Sequence, residues 1–507
     1  MELYVSVSNE KDLTSYVEKN LQDPRPAGTV ERESFHWPLV FPEIFADTTN
    51  AGFDAIIGNP PFWGGLKISG TYGDDYLAWL ARWDGNDVKG SADLATRFIL
   101  RADRLLSGRG QLGFVTTKTI AKGAPLHVGM EQVTKSHLTV RAARSPHPWP
   151  TRSASLQIVE FWATCAKPSK HAAYWVDGEE APAIGPDLEP YGNVRGQPMQ
   201  LHENYAMAFV GSYILGSGFM LSEDQKDDLI GRDGSNQKVI QPYVNGKDLN
   251  RRPDSSGSQW IINFRNWPLE QVEEYADCID IVRRLVKPLR DTNKRKQRRE
   301  RWWIYAERAS QLYDSIDGFS HVLAIAQTSS TVMPVRIKAE QVFDQTCIIF
   351  SAKEDLATLA ILSSNIHSTW VMRYTTPMRS DLRYLPSNVF LTLPRPKLIS
   401  ELKSLGRQLD ETRHELMLSR AWGLTKAYNR VHDPDNHEPA IQELREIHVA
   451  IDEAVIRAYG WDDLDLKIGH HPTKIGIRWT VSKEARFKLL DLLLEENHQR
   501  YALENPS

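Results

Sequence analysis

The sequence is poor in cysteine, in long apolar runs and in net positive charge. Its three cysteines, Cys165, Cys278 and Cys347, lie far apart without a C-x-x-C pair. This spacing argues against a zinc ribbon and against a disulfide framework, and it fits a reducing cytoplasm. No apolar run approaches the roughly 18 residues that a membrane span needs, and no basic-then-apolar signal pattern is present. The formal net charge is −4, so any surface that binds nucleic acid must be local.

The remaining composition is that of an ordinary globular protein. The chain has 507 residues, of which 41% are apolar and 25% charged, and this length allows about three domains. The pair His470-His471 has no third ligand at a suitable spacing. We therefore expect no metal site.

The most informative stretch is Asn59-Pro60-Pro61-Phe62, which follows the apolar run 53–58. That run is short, rich in Ile and Phe, and bounded by Gly and Pro, so it predicts a buried strand that stops abruptly. The tetrad is then expected at the carboxyl end of a strand. In open α/β sheets, ligands bind at that edge.

The residue types of the tetrad suit a planar amino group. The lone pair of such a nitrogen is delocalised, and acceptors on its two N–H groups help to bring the lone pair out of plane. Asn59 offers a side-chain carbonyl, and Pro60 offers a backbone carbonyl without a competing N–H. Phe62 can stack on a planar ring, which contributes roughly 1 to 3 kcal/mol for a base. The alternative is a proline-rich strand exit with a buried Phe.

An Asn-Pro-Pro-Phe tetrad after a strand resembles the catalytic motif of amino-methyltransferases, which use S-adenosylmethionine to methylate adenine N6, guanine N2 or a glutamine amide. The segment 35–45, with Phe35, Trp37 and Phe41-Pro42-Glu43, resembles the element that precedes this motif in large adenine-specific DNA methyltransferases. These include type IIG-like enzymes fused to restriction nucleases. Ser91-Ala92-Asp93 offers N-cap residues before apolar positions at helical spacing, and Gly108-Arg109-Gly110 is expected to close that helix. This predicted helix and the predicted strand 111–118 continue the same pattern.

The resemblance implies a fold class and a second stacking residue. The fold would be α/β, with a partial Rossmann-like methyltransferase sheet, then a mixed α/β target-recognition domain and a C-terminal helical region. In such enzymes an aromatic residue at the place of Trp149 sandwiches the extruded base against the tetrad aromatic, here Phe62. The alternative for Trp149 is an exposed loop residue or a core residue.

The expected cofactor motif is missing. In the families resembled, a strand ending in a Gly-rich turn and an acid for the ribose lie upstream of the tetrad. About sixty residues precede Asn59, and none of them form that pattern. Cofactor-binding residues therefore stay unknown. The sequence predicts a fragment, a misannotated start, or one subunit of a split enzyme whose separate partner chain carries the cofactor-binding half.

A second domain is expected after a linker rich in Pro, Gly and acids. Residues 240–249 resemble the opening of the target-recognition domain in the same enzymes, and Leu382-Arg383-Tyr384 resembles a later element of it. Within 283–301 basic residues far outnumber acids, and Trp302-Trp303 follows. We predict phosphate contacts with double-stranded DNA there, although a charge run is often only a solvated helix face. The predicted DNA-binding residues are Arg290, Lys294, Arg295, Lys296, Arg298, Arg299 and Arg301.

Apolar spacing predicts helices over 402–428, 440–459 and 485–501. The predicted organisation is a polar lead-in at 1–30, the catalytic half of a methyltransferase domain at 31–167, a linker at 168–198, the target-recognition domain at 199–400 and a helical region at 401–507.

The sequence thus favours a site-specific DNA adenine-N6 methyltransferase in a restriction-modification or phage-defence setting, located in the cytoplasm. Three alternatives remain open. One is a DNA-recognition subunit in which the tetrad is inactive. Another is methylation of a different planar amino group, on an RNA base or a glutamine amide. A nuclease is the third. Its Glu-x-Lys signal, Glu401-Leu402-Lys403, lies at the start of a predicted amphipathic helix, so we attribute this match to chance.

Overall fold

The computed structural model describes residues 35–46, 50–88, 90–149, 156–169, 171–192, 194, 196–378, 381–473 and 475–506. The chain divides into two compact units, Met1–Arg195 and Gly196–Ser507. We call them unit 1 and unit 2. The predicted lead-in at 1–30 lies outside the described residues.

Unit 1 combines helices with a mixed sheet. Its helices and strands are α1 (Trp37–Val40), α2 (Pro42–Phe45), β1 (Phe53–Gly58), α3 (Gly65–Tyr72), α4 (Asp74–Trp79), α5 (Leu94–Leu105), β2 (Leu106–Thr117), α6 (Gly123–Pro125), α7 (Glu131–Ser136), β3 (Thr139–Pro148), β4 (Gln157–Thr164), β5 (Tyr174–Val176), β6 (Glu179–Ala181), β7 (Ala183–Ile184) and β8 (Pro190–Tyr191).

The main sheet of unit 1 has six strands in the order β1-β2-β4-β3-β5-β6. β1 pairs parallel to β2, with Gly58 opposite Phe114, while β4 runs antiparallel to both β2 and β3. β3 therefore runs in the same direction as β1 and β2. The carboxyl ends of these three strands meet at one edge of the sheet, and the tetrad follows β1 there.

One face of this sheet is covered by α5, as the apolar spacing predicted. Asp93 begins the helix by accepting a hydrogen bond from the Thr96 backbone N–H. Ile99 and Leu100 are buried in a core that includes Phe114 and Phe161. The segment Gly108-Arg109-Gly110, predicted to close the helix, instead lies inside β2, because the chain passes directly from helix to strand at Leu106.

The segment predicted as a linker, 168–198, is not irregular throughout. Within it, β5 pairs parallel to β3 and β6 pairs antiparallel to β5, so both extend the main sheet. The three-residue strands are too short to give a periodic signal, and only the pairing with β3 defines them.

Unit 2 contains several small sheets and long helices. Its elements are β9 (Ala208–Val210), β10 (Met220–Leu221), α8 (Glu223–Arg232), β11 (Ile240–Val244), α9 (Gly246–Arg251), β12 (Gln259–Ile262), α10 (Leu269–Val272), α11 (Ala276–Leu285), α12 (Lys287–Asp291), α13 (Lys296–Glu300), α14 (Ser310–Ser315), β13 (His321–Ala326), β14 (Thr328–Ser329), β15 (Val335–Lys338), β16 (Val342–Phe343), β17 (Cys347–Phe350), α15 (Asp355–Ser363), α16 (Asn365–Tyr374), β18 (Thr376–Met378), β19 (Asp381–Arg383), α17 (Ser400–Ser419), α18 (Leu424–Val431), α19 (Pro439–Tyr459), β20 (Gly469–Thr473), β21 (Gly476–Thr480) and α20 (Lys483–Glu504).

The predicted recognition domain and helical region share one compact unit. α15 is buried along most of its length, and α17 packs against it so closely that a Cβ at Gly406 would lie 1.9 Å from the Leu356 carbonyl oxygen. The helix predicted at 402–428 is two helices. They separate at Ala421, with φ 49°, and at Gly423, which packs directly against the Arg251 backbone.

Two buried histidines give unit 2 a predicted dependence on pH. His367 and His448 are almost fully buried, and burial lowers the pKa of His367 to about 4 and that of His448 to about 3. The unfolded chain binds protons near pH 6.5, so the stability from these groups is present above that pH and is lost as the pH falls. Burial raises the pKa of Asp452 to about 7, so over the same pH range the folded protein holds a proton that the unfolded chain releases. The contribution of Asp452 to the unfolding free energy therefore falls as the pH rises, and it offsets the contribution of one histidine.

The variant His448→Gln tests this dependence. Glutamine stays neutral and can still accept the hydrogen bond from the Tyr428 hydroxyl, 2.8 Å from His448 Nε2. Between pH 4 and 6 the slope of unfolding free energy against pH should be lower by about 1.4 kcal/mol per unit than in the unchanged protein. Urea unfolding followed by circular dichroism measures both slopes, and equal slopes would show that His448 titrates normally.

Candidate active site

The tetrad lies where the sequence predicted it, directly after β1. Pro60 is buried, Phe62 is half-buried, and Asn59 and Pro61 are exposed. Two backbone hydrogen bonds hold the loop. The Trp63 N–H donates to the Pro61 carbonyl (3.1 Å), and the Leu94 N–H at the start of α5 donates to the Trp63 carbonyl (3.0 Å). The tetrad is therefore anchored between the end of β1 and the start of α5.

The two predicted acceptors differ in exposure, since Asn59 is exposed and Pro60 is buried. Among the described residues, no donor contacts the side-chain oxygen of Asn59 or the carbonyl of Pro60. The buried ring of Pro60 fixes the position of the Pro60 carbonyl, whereas the side-chain carbonyl of Asn59 is accessible. Asn59 can therefore accept an N–H group of a planar amine.

Trp149 lies at the same edge of the sheet as the tetrad. It follows the carboxyl end of β3, is half-buried, and its backbone N–H donates to the Leu156 carbonyl at 2.9 Å. With β2 and β4 between them, β1 and β3 are about 14 Å apart at a spacing of about 4.8 Å per strand. Only the side chains and loops beyond the strand ends could bring Trp149 and Phe62 to the two faces of one base.

A polar network that the sequence did not reveal lies beside the tetrad loop. One oxygen of Asp93 accepts from the backbone and hydroxyl of Thr96, and the other accepts from the Thr119 hydroxyl at 3.1 Å. Thr119 in turn lies 2.5 Å from the Thr117 hydroxyl, at the end of β2. The helix-cap pattern identified Asp93, but Thr119 follows β2 and lies 26 residues further along the chain, so no local pattern could identify their link.

The carboxylate beside the tetrad loop is not available to S-adenosylmethionine. A sulfonium nucleoside needs a free carboxylate for its ribose hydroxyls and a close approach of backbone to its polar atoms. Asp93, the carboxylate beside the tetrad loop, is already occupied by its three donors. On β1 itself, the exposed side chains of Ala55 and Ile57 are apolar, so neither offers a carboxylate.

The basic segment 283–301 folds as three short helices, α11 to α13, rather than as one basic face. The prediction that Arg290 contacts DNA is wrong, because Arg290 is only 1% exposed. Its guanidinium donates to the carbonyls of Leu215 (3.0 Å), Ile214 (2.8 Å) and Ile304 (3.4 Å). Arg290 thus holds unit 2 together.

The remaining predicted DNA-binding residues lie at or near the surface. Arg295 and Lys296 have side chains 69% and 77% exposed, and Lys294 is also exposed. Arg298 pairs with Glu307 at 2.9 Å and is largely covered. Arg299 donates to the carbonyls of Asn293 and Lys294, and Arg301 donates to Asn266.

The two tryptophans that follow the basic segment are part of the core. Trp302 is 6% exposed, and the half-buried Trp303 donates its indole N–H to the Trp267 carbonyl at 3.0 Å. They support the basic segment and do not offer a free ring for stacking.

Comparison with known proteins adds family matches to this geometry. Residues 2–138 match the family model of the Eco57I restriction-modification methylase, and residues 192–397 match that of the MmeI target recognition domain. The chain is therefore similar to the large restriction-modification methyltransferases, as its motifs predicted.

Among individual proteins, the Type IIL restriction-modification enzyme MmeI, solved in complex with DNA, has the same overall fold. Its structure aligns with 88% of this chain and 57% of its own, with a TM-score of 0.61 and 16% identity. The protein RM.MjaORFECS2P of Methanocaldococcus jannaschii, whose name describes a type II restriction enzyme and methyltransferase, is 30% identical over 122 residues, or 24% of this chain and 9% of that protein. The chain spans little more than half of MmeI and a small part of the second relative.

Proposed function

We propose that this chain carries the base-binding half of a site-specific DNA adenine-N6 methyltransferase in a restriction-modification or phage-defence setting. The observation that carries the proposal is the Asn-Pro-Pro-Phe tetrad at the carboxyl end of β1, with the Asn59 side chain exposed. The match of residues 192–397 to a target recognition domain supports DNA as the substrate. We take the mixed sheet of unit 1 as part of a Rossmann-like methyltransferase sheet.

In the proposed reaction an adenine leaves the duplex and enters the tetrad corner. Asn59 Oδ1 and the Pro60 carbonyl each accept one N–H of its amino group, while Phe62 stacks on the ring. Drawing both N–H groups to fixed acceptors makes the nitrogen lone pair available out of the ring plane. S-adenosylmethionine, which the methylase match implies, supplies the methyl group when bound.

The second ring of the proposed sandwich is Trp149. An extruded base loses stacking worth a few kcal/mol, and two covering rings restore it. The common edge of β1 and β3 supports this assignment.

The exposed cations of the basic segment are proposed to contact phosphates of the duplex. Changing both Arg295 and Lys296 to alanine should weaken DNA binding roughly tenfold and lower the slope of log affinity against log salt by about 1 to 2. Fluorescence anisotropy with a labelled duplex at several salt concentrations measures both effects.

A matched control for this double variant is Lys488→Ala, which removes an exposed cation from α20. It should leave the salt slope unchanged. If the slope of log affinity against log salt is the same for the double variant and the control, the basic segment does not contact the DNA phosphates.

Methyl transfer from labelled S-adenosylmethionine to unmethylated DNA tests the function. The assay uses this chain alone and then mixed with the product of the reading frame immediately upstream. Transfer in the mixture and none with this chain alone supports a base-binding half that depends on a separate donor-binding partner. DNA binding without transfer in both supports a recognition subunit instead.

Methylation of RNA or of a glutamine amide, and a nuclease reaction, have less support than methylation of DNA. A target recognition match favours DNA over RNA or a glutamine amide. The nuclease reaction depends on Glu401 and Lys403, but Glu401 pairs with Arg457 at 2.8 Å and Lys403 pairs with Glu354 at 3.0 Å. Both side chains serve surface ion pairs of α17.

A further inference from the structure

Unit 2 contains a cavity that the proposed methyl transfer does not use. It is lined by the loop 330–333, by parts of helices α15, α16, α18 and α19, and by the hairpin of β20 and β21. We call it the hairpin cavity. It encloses about 50 Å³, several times the roughly 10 to 15 Å³ that one buried water needs. With its open mouth it measures about 600 Å³, which is in the range of small-molecule sites.

Most of the wall of the hairpin cavity is apolar. The rings of Tyr428 and Trp479 line it, together with aliphatic and thioether side chains. These side chains are Val332, Met333, Met372, Leu382, Val431 and Ile475. Burial of apolar surface against such a wall is favourable, whereas a hydrated inorganic ion gains nothing from it. The wall therefore favours a ligand with an apolar body.

Three polar atoms on residues of the lining lack a hydrogen-bond partner. Ser363 and Thr480 are 0% and 2% exposed, and no group in the described part of the chain bonds to either hydroxyl oxygen. The Nε of Arg478 is also buried without a partner there. Arg478 and Thr480 are two residues apart in β21, so their side chains lie on the same face of the hairpin. Since buried polar groups are normally hydrogen-bonded, three such groups around one cavity indicate a polar ligand.

The charges around the hairpin cavity favour a negative ligand. Among the described residues that line it, none is Asp or Glu, whereas Arg478 is one of them. Arg445 lies next to the wall, with its guanidinium carbon 5.2 Å from the ring centroid of Trp479. Asp452 contacts the lining residue Asn365, but both carboxylate oxygens accept from Asn365, at 2.6 and 2.7 Å. Asp452 is therefore bound to Asn365 and does not serve a cation in the cavity.

His432, which also lines the cavity, adds a donor and not an acceptor. Its Nδ1 accepts the Trp479 backbone N–H at 3.2 Å. Burial, reinforced by neighbouring cations, lowers the pKa of His432 to about 3, so the ring is neutral near pH 7. A neutral imidazole whose Nδ1 accepts a hydrogen bond carries its proton on Nε2.

We propose that the hairpin cavity is a binding site for a small organic acid. The carboxylate of the acid accepts from Arg478 Nε and from the hydroxyls of Ser363 and Thr480, and its apolar body packs against the aliphatic and thioether side chains of the wall. The ligand links the loop 330–333, which lies in the segment matched to a target recognition domain, with the C-terminal hairpin. This inference does not depend on the proposed methyl transfer.

Titration of the whole chain with benzoate, a small acid with an apolar ring, tests the class of ligand. Benzoate should bind with a dissociation constant in the millimolar range or below, and it should raise the unfolding midpoint because it binds the folded state. Acetate lacks the ring, benzamide lacks the charge, and benzylammonium reverses the charge. Each should bind about tenfold more weakly or not at all. Isothermal titration calorimetry measures the four affinities.

The variants Thr480→Val and Ser363→Ala test the location of the site. Each should weaken benzoate binding about tenfold, because it removes a donor to a charged acceptor. Without benzoate, neither variant should lower the unfolding midpoint, since neither hydroxyl has a partner in the described part of the chain. Arg478→Met should abolish the preference for benzoate over benzamide, because it removes the positive charge.

The matched control is Thr369→Val. Thr369 is 1% exposed, and its hydroxyl likewise lacks a partner in the described part of the chain. It lies on α16 but is not among the residues that line the cavity. This variant should bind benzoate as tightly as the unchanged chain.

Three results would overturn the organic-acid site. The first is benzoate binding that is absent at millimolar concentrations, or no tighter than the binding of acetate or benzamide. The second is equal benzoate affinity of Thr480→Val and Thr369→Val. The third is a lower unfolding midpoint of Thr480→Val without benzoate, which would show that its hydroxyl already bonds within the protein. None of these results bears on methyl transfer, so the proposed function would stand.

Discussion

Replacing Asn59 with alanine should lower methyl transfer at least 100-fold while DNA affinity stays within about twofold. The variant removes one of the two fixed acceptors for the target amine, and loss of one preorganised polar contact to a reacting group commonly costs 100- to 1,000-fold. Asn59 is exposed, so the fold should be unaffected. Single-turnover methyl transfer in the active mixture and anisotropy with duplex DNA measure the two quantities.

Asn59→Asp is the matched control, because a carboxylate keeps an acceptor at the same position. It should retain more activity than the alanine variant. Undiminished turnover of Asn59→Ala would show that the tetrad does not hold the amine.

Replacing Arg290 with alanine should lower the free energy of unfolding of unit 2 by about 3 to 5 kcal/mol. The change removes a buried cation and the hydrogen bonds to three carbonyls, and buried acceptors left without partners each cost about 1 to 3 kcal/mol. Urea unfolding followed by circular dichroism measures the loss.

Arg295→Ala gives the control for this second prediction. It removes the same side-chain type from a position 69% exposed, and its unfolding free energy should change by less than about 0.5 kcal/mol. Equal stability of the two variants would contradict the buried role of Arg290.

The elements that the sequence predicted well are those with local signals. The run 53–58 ends at Gly and Pro, and it is a strand that stops at Gly58, although its side chains are exposed or half-buried and not buried as predicted. The helix that Asp93 caps was predicted from its apolar spacing, as were the helices near 440–459 and 485–501.

The errors fall where a residue's role depends on distant parts of the chain. Arg290 looked like its basic neighbours, and the carbonyls of Ile214 and Leu215 that bind it lie far away in sequence. The hairpin of β20 and β21, within the region predicted as helical, is defined by cross-strand pairing. The exposed apolar side chains of Ile57, Trp162 and Trp175 on one face of the sheet in unit 1 could not be predicted either, because the register of five strands brings them together.

The most direct test of the central claim is nucleoside analysis of DNA after reaction in the mixture of this chain with the upstream product. Digestion followed by mass spectrometry identifies which base has gained the methyl group. We predict N6-methyladenine, which disappears with Asn59→Ala. Methyl groups on guanine N2 or cytosine, or transfer that persists in Asn59→Ala, would contradict a tetrad that holds the amino group of an extruded adenine.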